Sequence, residues 1–418
     1  MPSSLCKPFR VTSAPLAEPA SARELRNAAV ATGVVFAVSG ATFATWVSRL
    51  PAVRDRVDAG TAELGLALLC VGLGSLFTMP FTGRLCARFG SRSVVLATAL
   101  PGCAMLVLLA HLPSVGLLAA ALFVWGACYG AWDVAMNVHG SAVEQQAGRA
   151  WMPRYHAAWS IGGIAGAGLG ALAAGLSVPV GAHFVGGAVV LAVTVLVACR
   201  WFVPDRAAVE PSPSDRPGRR APGNRLLTSS LVAVGLLTAC ATCIEGAAAD
   251  WIALYLTDDR GAEPSAASGG YAVFAVAMAV SRLAGTGVIE RFGRAAVVRG
   301  AGVLTCAGIV TTLAAPGLVG SYAGVLLWGA GVAVVFPAAM SRAGETPGRS
   351  ADAIAAVSTL GYGGFLLGPP LVGILAEHVG LGNALYSLLA LAAGIVGLSA
   401  AAASRPSTEP ATVASRPR

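Results

Sequence analysis

Long apolar segments recur along the chain, and short polar stretches separate them. Each segment is long enough to cross about 30 Å of hydrocarbon as an α-helix of about 20 residues. Their many Gly and Ala residues favour close helix packing in a membrane. The pattern predicts twelve transmembrane helices, six on either side of a polar stretch, at residues 27–50, 62–83, 93–111, 114–138, 152–177, 179–202, 227–256, 265–289, 295–314, 318–341, 351–376 and 380–403.

Polar stretches divide this pattern into two bundles, a linker and two tails. Residues 203–226 are rich in Pro, Ser, Arg and Asp and have no apolar period, which predicts a flexible cytoplasmic linker. Residues 1–26 and 404–418 are polar or small, and they predict two cytoplasmic tails. The predicted domains are therefore a six-helix bundle over residues 27–202 and a second one over residues 227–403.

The composition agrees with a membrane protein. Of the 418 residues, 56% are hydrophobic and only 11% are charged, whereas soluble domains carry about 25% charged residues. This difference argues against a soluble multidomain enzyme. The sequence also shows no Ser-His-Asp set in a suitable context, no metal-ligand spacing and no phosphate-binding loop. We therefore expect neither an enzyme nor an ATP-driven pump, and we expect no metal or other cofactor.

The basic residues are distributed unevenly between the loops. If both termini lie inside, 24 of the 28 Lys and Arg residues fall in the tails, the inner loops or the inner ends of spans. The four on the outside are Arg49, Arg54, Arg56 and Arg260. By the positive-inside rule this predicts a multi-pass protein of the cytoplasmic (inner) membrane with both termini in the cytoplasm. The net charge of +8 then needs no nucleic-acid partner.

Short motifs recur at corresponding places in the two bundles. The tripeptide "RFG" occurs at residues 88–90 and again at 291–293, and "WGA" occurs at 125–127 and 328–330. Both pairs have the same offset of 203 residues. Duplicated six-helix halves are the layout of many secondary transporters, whose substrate sites lie near the membrane midplane between the halves. The repeats therefore favour a transporter.

The stretch "GRLCARFGSR" at residues 83–92 resembles a known transporter signature. It is similar to the G-x-L-x-D-R-x-G-R type motif that major facilitator superfamily proteins carry between spans two and three. Gly83, Leu85, Arg88 and Gly90 are kept, and Arg92 supplies the basic residue of the motif one position later, after Ser91. The acidic position of the motif is Ala87 here, so the usual acidic partner at this conformational latch is missing from its place.

The second half carries a matching stretch, "ERFGR", that keeps the acid. Its four matching residues are Glu290, Arg291, Gly293 and Arg294. The stretches "SRLP", "LGLALL", "HAAWSIGG" and "EGAAADW" resemble the MosC-like and YbjJ-like branch of the superfamily. The resemblance covers about residues 27–400. It implies an all-α integral membrane protein with twelve transmembrane helices in two pseudo-symmetric six-helix halves, and it fixes no substrate.

A polar stripe crosses the apolar fourth span. Asp133 and Asn137 are one helical turn apart and share a face, and Tyr129 lies one turn earlier. An ionised carboxylate at membrane depth costs roughly 2.5–3.5 kcal/mol on insertion scales, so Asp133 should face the protein interior or a watery cavity. The D-x-x-x-N pattern is similar to that of fucose–proton symporters, in which the acid is a proton site. Either Asp133 binds a transported proton, or it pairs structurally with an arginine near the inner end of a span.

Two further titratable residues complete the predicted substrate and proton cavity. Glu245 lies well inside the seventh span and has no cation in that span. Buried without a partner, such a carboxyl would tend to stay protonated, which suits reversible binding of a proton or cation. His156 lies near the inner end of the fifth span. Its imidazole either transfers protons near neutral pH or is a packed polar group.

The resemblance also implies an outer gate. Arg49 ends the first span, and Asp250 lies near the outer end of the seventh, at pseudo-equivalent places in the two halves. In this superfamily these two helices approach each other on the outer side when the protein opens inward. Arg49 and Asp250 are therefore expected to pair when the outer gate is closed. Alternatively Arg49 anchors the helix end among lipid headgroups, and Arg54 and Asp58 offer rival partners.

The sequence thus predicts a secondary active transporter that moves a small organic solute by alternating access. We expect protons as the coupling ion, a lipid bilayer as the surroundings and a monomer as the working unit. Within transport, sugar-like uptake by symport and export of drugs or metabolites by proton antiport are both open. An alternative of another class is a transporter-like membrane sensor or assembly protein without net flux.

Overall fold

A computed structural model describes residues 21–59, 61–205, 228–262 and 264–403. These residues form helices joined by short connections, and no strand occurs among them. Twelve of the helices are long and apolar enough to span a membrane, so the predicted all-α membrane fold is confirmed. The predicted linker after Asp205, most of the N-terminal tail and the C-terminal tail lie outside the described residues.

We number the twelve spans in chain order and use these numbers throughout. Their bounds are Ala22–Ser48, Thr61–Phe89, Ser91–Leu109, Val115–Ala147, Met152–Gly175, Val180–Ala198, Ser229–Asp258, Pro264–Phe292, Arg294–Ala314, Gly317–Gly344, Ser350–Val379 and Leu381–Ala402. A short helix, Leu50–Arg56, follows span 1. Span 10 is interrupted between Val332 and Val335.

Span 1 begins five residues before the predicted start because its first turn is capped. The Ser21 hydroxyl accepts a hydrogen bond from the Glu24 backbone N–H at 3.3 Å, and the Glu24 carboxylate accepts one from the Ser21 backbone N–H at 2.8 Å. This reciprocal capping box satisfies N–H groups that have no partner within the helix. A polar sequence at the helix start is therefore compatible with helical structure.

The two "RFG" repeats form equivalent turns, one between spans 2 and 3 and the other between spans 8 and 9. Gly90 has φ 80° and ψ 148°, and Gly293 has φ 78° and ψ 151°. Residues with a side chain rarely adopt positive φ, which explains the glycine in both repeats. In each turn the arginine lies over the next phenylalanine ring, Arg88 over Phe89 at 5.1 Å and Arg291 over Phe292 at 5.3 Å. We call this side of the bundle the signature side.

The "WGA" repeats mark equivalent helix contacts. Trp125 in span 4 and Trp328 in span 10 are both fully buried. A Cβ added to Gly126 would overlap the backbone of Val71 in span 2, and one added to Gly329 would lie 2.6 Å from the Phe274 carbonyl oxygen in span 8. Span 4 therefore packs on span 2 as span 10 packs on span 8, which is the pseudo-symmetry that the repeats predicted.

The two halves are held together at the signature side. Spans 2 and 11 pack against each other, as do spans 5 and 8. Gln145 Nε2 donates to the Gly344 carbonyl oxygen at 2.6 Å, and Arg149 forms an ion pair with Glu290 at 3.6 Å. Within the described residues, spans 1 and 7 share no packing interface on the opposite side. The conformation is therefore closed at the signature side.

Span 4 is longer than the hydropathy pattern predicted. It was expected to end at residue 138 and ends at Ala147, where Gly148 adopts a left-handed conformation with φ 64°. The added residues include the polar His139 and Glu144, which are both buried. The Glu144 carboxylate accepts a hydrogen bond from the Met152 backbone N–H at 2.8 Å. Protein contacts, rather than lipid, surround this end of the helix, so its polarity does not terminate it.

Candidate functional site

The polar stripe of span 4 lies in the centre of the N-terminal half. Asp133 is 7% exposed and Asn137 is fully buried. Asn137 Nδ2 donates to the Asp133 backbone carbonyl oxygen at 2.9 Å and lies 3.5 Å from the Asp133 carboxylate atom Oδ1. The second carboxylate oxygen, Oδ2, is buried and has no hydrogen-bond partner. Asp133 has no ion pair with an arginine among the described residues, unlike the predicted structural alternative.

Tyr129 connects this stripe to two neighbouring spans. Its hydroxyl accepts hydrogen bonds from Ser39 Oγ in span 1 and from Trp159 Nε1 in span 5, both at 3.1 Å. The rings of Phe43 and Trp125 lie at 5.7 Å from the Tyr129 ring. Aromatic side chains therefore surround Tyr129, and protein groups already form the hydrogen bonds of its phenolic hydroxyl.

His156 extends the stripe from span 4 to span 5. Its Nε2 atom lies 3.3 Å from Asn137 Oδ1, so the ring can donate a hydrogen bond to the amide oxygen. The rings of Phe36 and Phe336 contact the imidazole edge-on, each at 5.2 Å. Because Phe336 belongs to span 10, this histidine lies where the two halves of the molecule meet.

An arginine from the C-terminal half completes the polar arrangement. Arg282 in span 8 is 5% exposed, and its Nη2 atom lies 3.4 Å from both carboxylate oxygens of Glu245 in span 7. Its Nη1 donates to Ser160 Oγ at 3.0 Å and its Nε donates to the Ala333 carbonyl oxygen at 3.1 Å. The Glu245 side chain is 24% exposed although its neighbour Ile244 is fully buried. Glu245 therefore faces the space between the halves.

These contacts form one continuous path, which we call the central polar chain. Ser160 Oγ donates to the His156 carbonyl oxygen at 3.2 Å and thereby joins the two parts. The members are Asp133, Asn137, His156, Ser160, Arg282 and Glu245. The chain contains two carboxyl groups and one guanidinium, and it crosses between the halves near the middle of spans 4 and 7. Such an arrangement can bind a proton and hydrogen-bond a polar solute.

Arg282 and Ser160 were missed by the sequence reasoning. Arg282 was counted among the cations at inner span ends, but span 8 ends at Phe292, ten residues later. Ten residues of helix correspond to about 15 Å, which places the guanidinium deep in the bundle. A cation seven residues inside the predicted span could have been recognised as a site residue, because charges at that depth are costly and need partners. Nothing in the sequence marked Ser160.

The signature residues are divided between surface and interface. Arg88, Arg92 and Arg291 are exposed. Arg294 is 8% exposed and pairs with Glu345 at 2.8 Å. Gly83 lies against span 11, where an added Cβ would be 2.5 Å from the Ala351 carbonyl oxygen. Gly83 and Glu290, which pairs with Arg149 of the other half, thus contribute directly to closure at this side, whereas the Arg294–Glu345 pair lies within the C-terminal half.

The predicted gate residues are apart in this conformation. Arg49 is buried and donates from Nη2 to the Val178 carbonyl oxygen in its own half at 2.7 Å. Asp250 is exposed. Arg54 lies 4.0 Å from Asp55. Pairing of Arg49 with Asp250 was expected only when the opposite side closes, so it stays a prediction.

No cluster of three or more His, Cys, Asp or Glu side chains that could hold a metal ion occurs in the part of the chain that the structure describes. The cysteines described there are all free, including Cys240 and Cys243.

Comparisons with known proteins agree with this architecture. The sequence profile of the Major Facilitator Superfamily matches residues 30–369. The uncharacterized transporter y4wD of Sinorhizobium fredii is 37% identical over 367 residues, which cover 85% of this chain and 95% of that protein. An uncharacterized MFS-type transporter of Yersinia pestis is 35% identical, with 90% and 96% covered. The membrane protein MosC of Rhizobium meliloti is 32% identical, with 85% of each covered.

Solved structures show the same fold at low sequence identity. The transporter FucP in its outward conformation aligns with a TM-score of 0.73 and 15% identity, covering 92% of this chain and 100% of that one. The human organic anion transporter MFSD10 aligns with a TM-score of 0.74 and 18% identity, covering 90% and 99%. The profile match and the relatives above 30% identity show the family, and the solved structures agree in fold. The chain belongs to the Major Facilitator Superfamily and is a multi-pass membrane transporter of small solutes.

Proposed function

We propose that this transporter is a secondary active symporter that moves a small polar organic solute together with protons by alternating access. The observation that carries the proposal is the central polar chain, which joins both halves through hydrogen bonds from Asp133 to Glu245. An alternating-access transporter needs a site that both halves share, because the site must open to each side in turn.

Asp133 is the proposed proton site. Its Oδ2 atom is buried without a partner, and an unpaired ionised carboxylate at membrane depth costs roughly 2.5–3.5 kcal/mol on insertion scales. Proton uptake removes that cost, and opening of the site to water allows release. Asn137 can orient the carboxyl group through its Nδ2 atom, and His156 in turn can orient the Asn137 amide. The fucose:proton symporter FucP of E. coli has the same fold at 14% sequence identity, which supports the same coupling ion.

The charges of the site favour a neutral or cationic solute. Arg282 is the single cation of the central polar chain, and its Nε, Nη1 and Nη2 atoms are engaged by Ala333, Ser160 and Glu245. An organic anion would therefore have to displace an existing bond and approach two carboxyl groups. A hydroxylated solute could instead exchange hydrogen bonds with Glu245 and stack on aromatic rings such as Trp159.

The proposed orientation places the signature side and both termini in the cytoplasm of a cell with a cytoplasmic (inner) membrane. The uneven distribution of Lys and Arg supports it. Reporter fusions near Gly218 and at both termini should then report the cytoplasm, and fusions near Ala59 or Gly261 should report the outside. A reporter near Gly218 that is active outside would overturn the orientation.

Uptake into proteoliposomes tests the function itself. The probes are labelled neutral hexoses and cyclic polyols, amino sugars, and organic anions, each assayed with an acidic exterior, an acidic lumen or no pH gradient. Symport predicts accumulation of a neutral or amino sugar probe with the acidic exterior and its loss with a protonophore. Accumulation with the acidic lumen would instead indicate antiport, and absence of flux for every probe would favour a sensor or assembly protein.

A further inference from the structure

Asp205 is a buried acid that the sequence pattern assigned to the linker. It follows span 6 and is 9% exposed. Its carboxylate accepts the backbone N–H of Ser91, the first residue of span 3, at 3.0 Å through Oδ2 and at 3.3 Å through Oδ1. The N-cap of span 3 is Gly90, which has no side chain to cap the helix. Asp205 therefore supplies the negative charge that a helix N-terminus favours.

The same carboxylate lies in a crevice between the two halves. The crevice is lined by Ala87 at the end of span 2, by span 4, by Asp205, and by Ser350 and Ala351 at the start of span 11. The two halves thus share one small crevice. It contains the Asp205 carboxylate and the N-terminal turn of span 11.

Ala87 connects this crevice with the signature motif. Ala87 occupies the acidic position of the signature motif, and it lines the same crevice as Asp205. An acid 118 positions later in the sequence thus lines the crevice beside the position where the motif's acid is missing. We propose that Asp205 is a positioning residue that provides the latch charge in place of residue 87 and stabilises closure at the signature side.

The segment that carries Asp205 is itself fixed to the N-terminal half. The Phe202 ring stacks on the His139 ring, with centroids 3.6 Å apart and an angle of 3° between planes. His139 Nδ1 lies 3.1 Å from Ser91 Oγ. The segment thus contacts the start of span 3 through Asp205 and span 4 through Phe202. Only the wall formed by Ser350 and Ala351 moves away when the halves separate, so the charge can favour the closed conformation.

The test uses a compensating change at position 87. Spin labels on cysteines introduced at Arg84 and Pro347, in a background without other cysteines, report the distance between the halves at the signature side. Both positions are exposed and belong to opposite halves. Asp205→Asn should lower the ratio of closed to open molecules by about 2-fold to 30-fold, the range expected for a charge beside the N-terminal turn of span 11, because the bond to Ser91 is the same in both conformations.

Ala87→Asp should act with opposite sign in the two backgrounds. In the native background it places two carboxylates in one crevice, where closure removes them from water and strengthens their repulsion. Opening exposes both to solvent, so the closed population should fall. Added to Asp205→Asn it restores one acid to the crevice and should return the closed population toward the native value. Glu24→Gln removes an acid of the signature side whose hydrogen bonds, among the described residues, lie within its own helix start. It should leave the distances unchanged.

Two results would overturn the proposal. One is an unchanged distance distribution in Asp205→Asn, and the other is a double variant whose effect equals the sum of the two single effects. If Asp205→Asn does not fold, the single variant Ala87→Asp still tests the proposal. A closed population as large as in the native protein would show that residues 87 and 205 do not share one crevice. The distances require no solute and no proton gradient, so failure here is separate from failure of the proposed symport.

Discussion

Asp133 is the residue on which proton coupling depends in this account. Replacing it with Asn keeps the shape of the side chain and the neighbouring amide Asn137 but removes the exchangeable proton. We expect Asp133→Asn to lose accumulation driven by a pH gradient. Exchange of labelled for unlabelled solute should persist, because exchange needs no net proton movement. Both quantities can be measured in the same proteoliposomes.

A matched control for this variant is Asp55→Asn. Asp55 is an acid with a highly exposed side chain, and its ion-pair distance to Arg54 is 4.0 Å. The control should accumulate solute as the native protein does. Native accumulation by Asp133→Asn would remove this residue from the coupling role, and equal loss in both variants would point to a general effect of charge.

Arg282 should contribute more to stability than its partner Glu245. Arg282→Gln loses hydrogen bonds to Ala333 and Ser160 and leaves the Glu245 carboxylate without its cation. Hydrogen bonds to charged groups contribute about 1.5–3 kcal/mol each in soluble proteins. The apparent Tm in detergent should therefore fall further for Arg282→Gln than for Glu245→Gln.

The double variant separates charge from packing. Arg282→Gln combined with Glu245→Gln should be more stable than Arg282→Gln alone, because no carboxylate is left uncompensated. Arg154→Gln, at an exposed position, serves as the control and should leave the Tm unchanged. A larger fall for Glu245→Gln than for Arg282→Gln would contradict the bonding scheme.

The sequence placed candidate residues on spans 4, 5 and 7, but it could not show which residues of different helices meet. The 3.6-residue period places Tyr129, Asp133 and Asn137 on one face, and the structure agrees. No period relates Arg282 to Glu245 or Asp205 to Ser91, since these pairs are brought together only by the packing of distant spans. Asp205 was further hidden because its polar, proline-rich surroundings resemble a linker.

At the scale of helices, Gly83 controls how closely spans 2 and 11 approach. An added Cβ would lie 2.5 Å from the Ala351 carbonyl oxygen in the other half. Gly83→Ala should therefore disfavour only the closed conformation, by about 1–3 kcal/mol for overpacking, or roughly 5- to 150-fold in the closed-to-open ratio. Spin-label distances across the signature side measure this ratio.

Gly33→Ala is the matched control, because nothing lies within 4 Å of a Cβ added there. It should leave the closed population unchanged. If Gly83→Ala also keeps the native distances, spans 2 and 11 do not limit closure at this contact, and the assigned role of the signature glycine is wrong.

Helix number could be predicted from hydropathy, whereas several helix ends could not. Hydropathy measures the tendency of a segment to lie in lipid, and it identified all twelve spans. It ended span 4 at residue 138 because His139 and Glu144 are polar, although the helix continues to Ala147. Neighbouring parts of the protein bury these two side chains. The hydropathy of a single segment contains no information about such contacts.

For the whole molecule, the central expectation is exchange between two conformations that close opposite sides. The structure is closed at the signature side, with Arg49 bonded to Val178 and Asp250 exposed. In the other conformation Arg49 and Asp250 should pair. Asp250→Arg should then favour opening on the opposite side and raise the labelling rate of a cysteine placed between the halves.

A charge swap tests this pair without requiring a solute. Adding Arg49→Asp to Asp250→Arg should restore the native labelling rate. An exposed ion pair contributes only about 0–1 kcal/mol, so the change in labelling should be at most about fivefold unless the pair is desolvated. A double variant whose labelling equals the sum of the single effects would show that the pair does not form.

Proton movement caused by the solute tests the central claim most directly. A pH electrode outside proteoliposomes, in unbuffered medium, should record alkalinisation when a transported neutral or amino sugar probe is added to the native protein. The same addition to Asp133→Asn should give no pH change while labelled solute still exchanges. Solute entry without proton uptake by the native protein, or unchanged proton uptake by Asp133→Asn, would contradict the account.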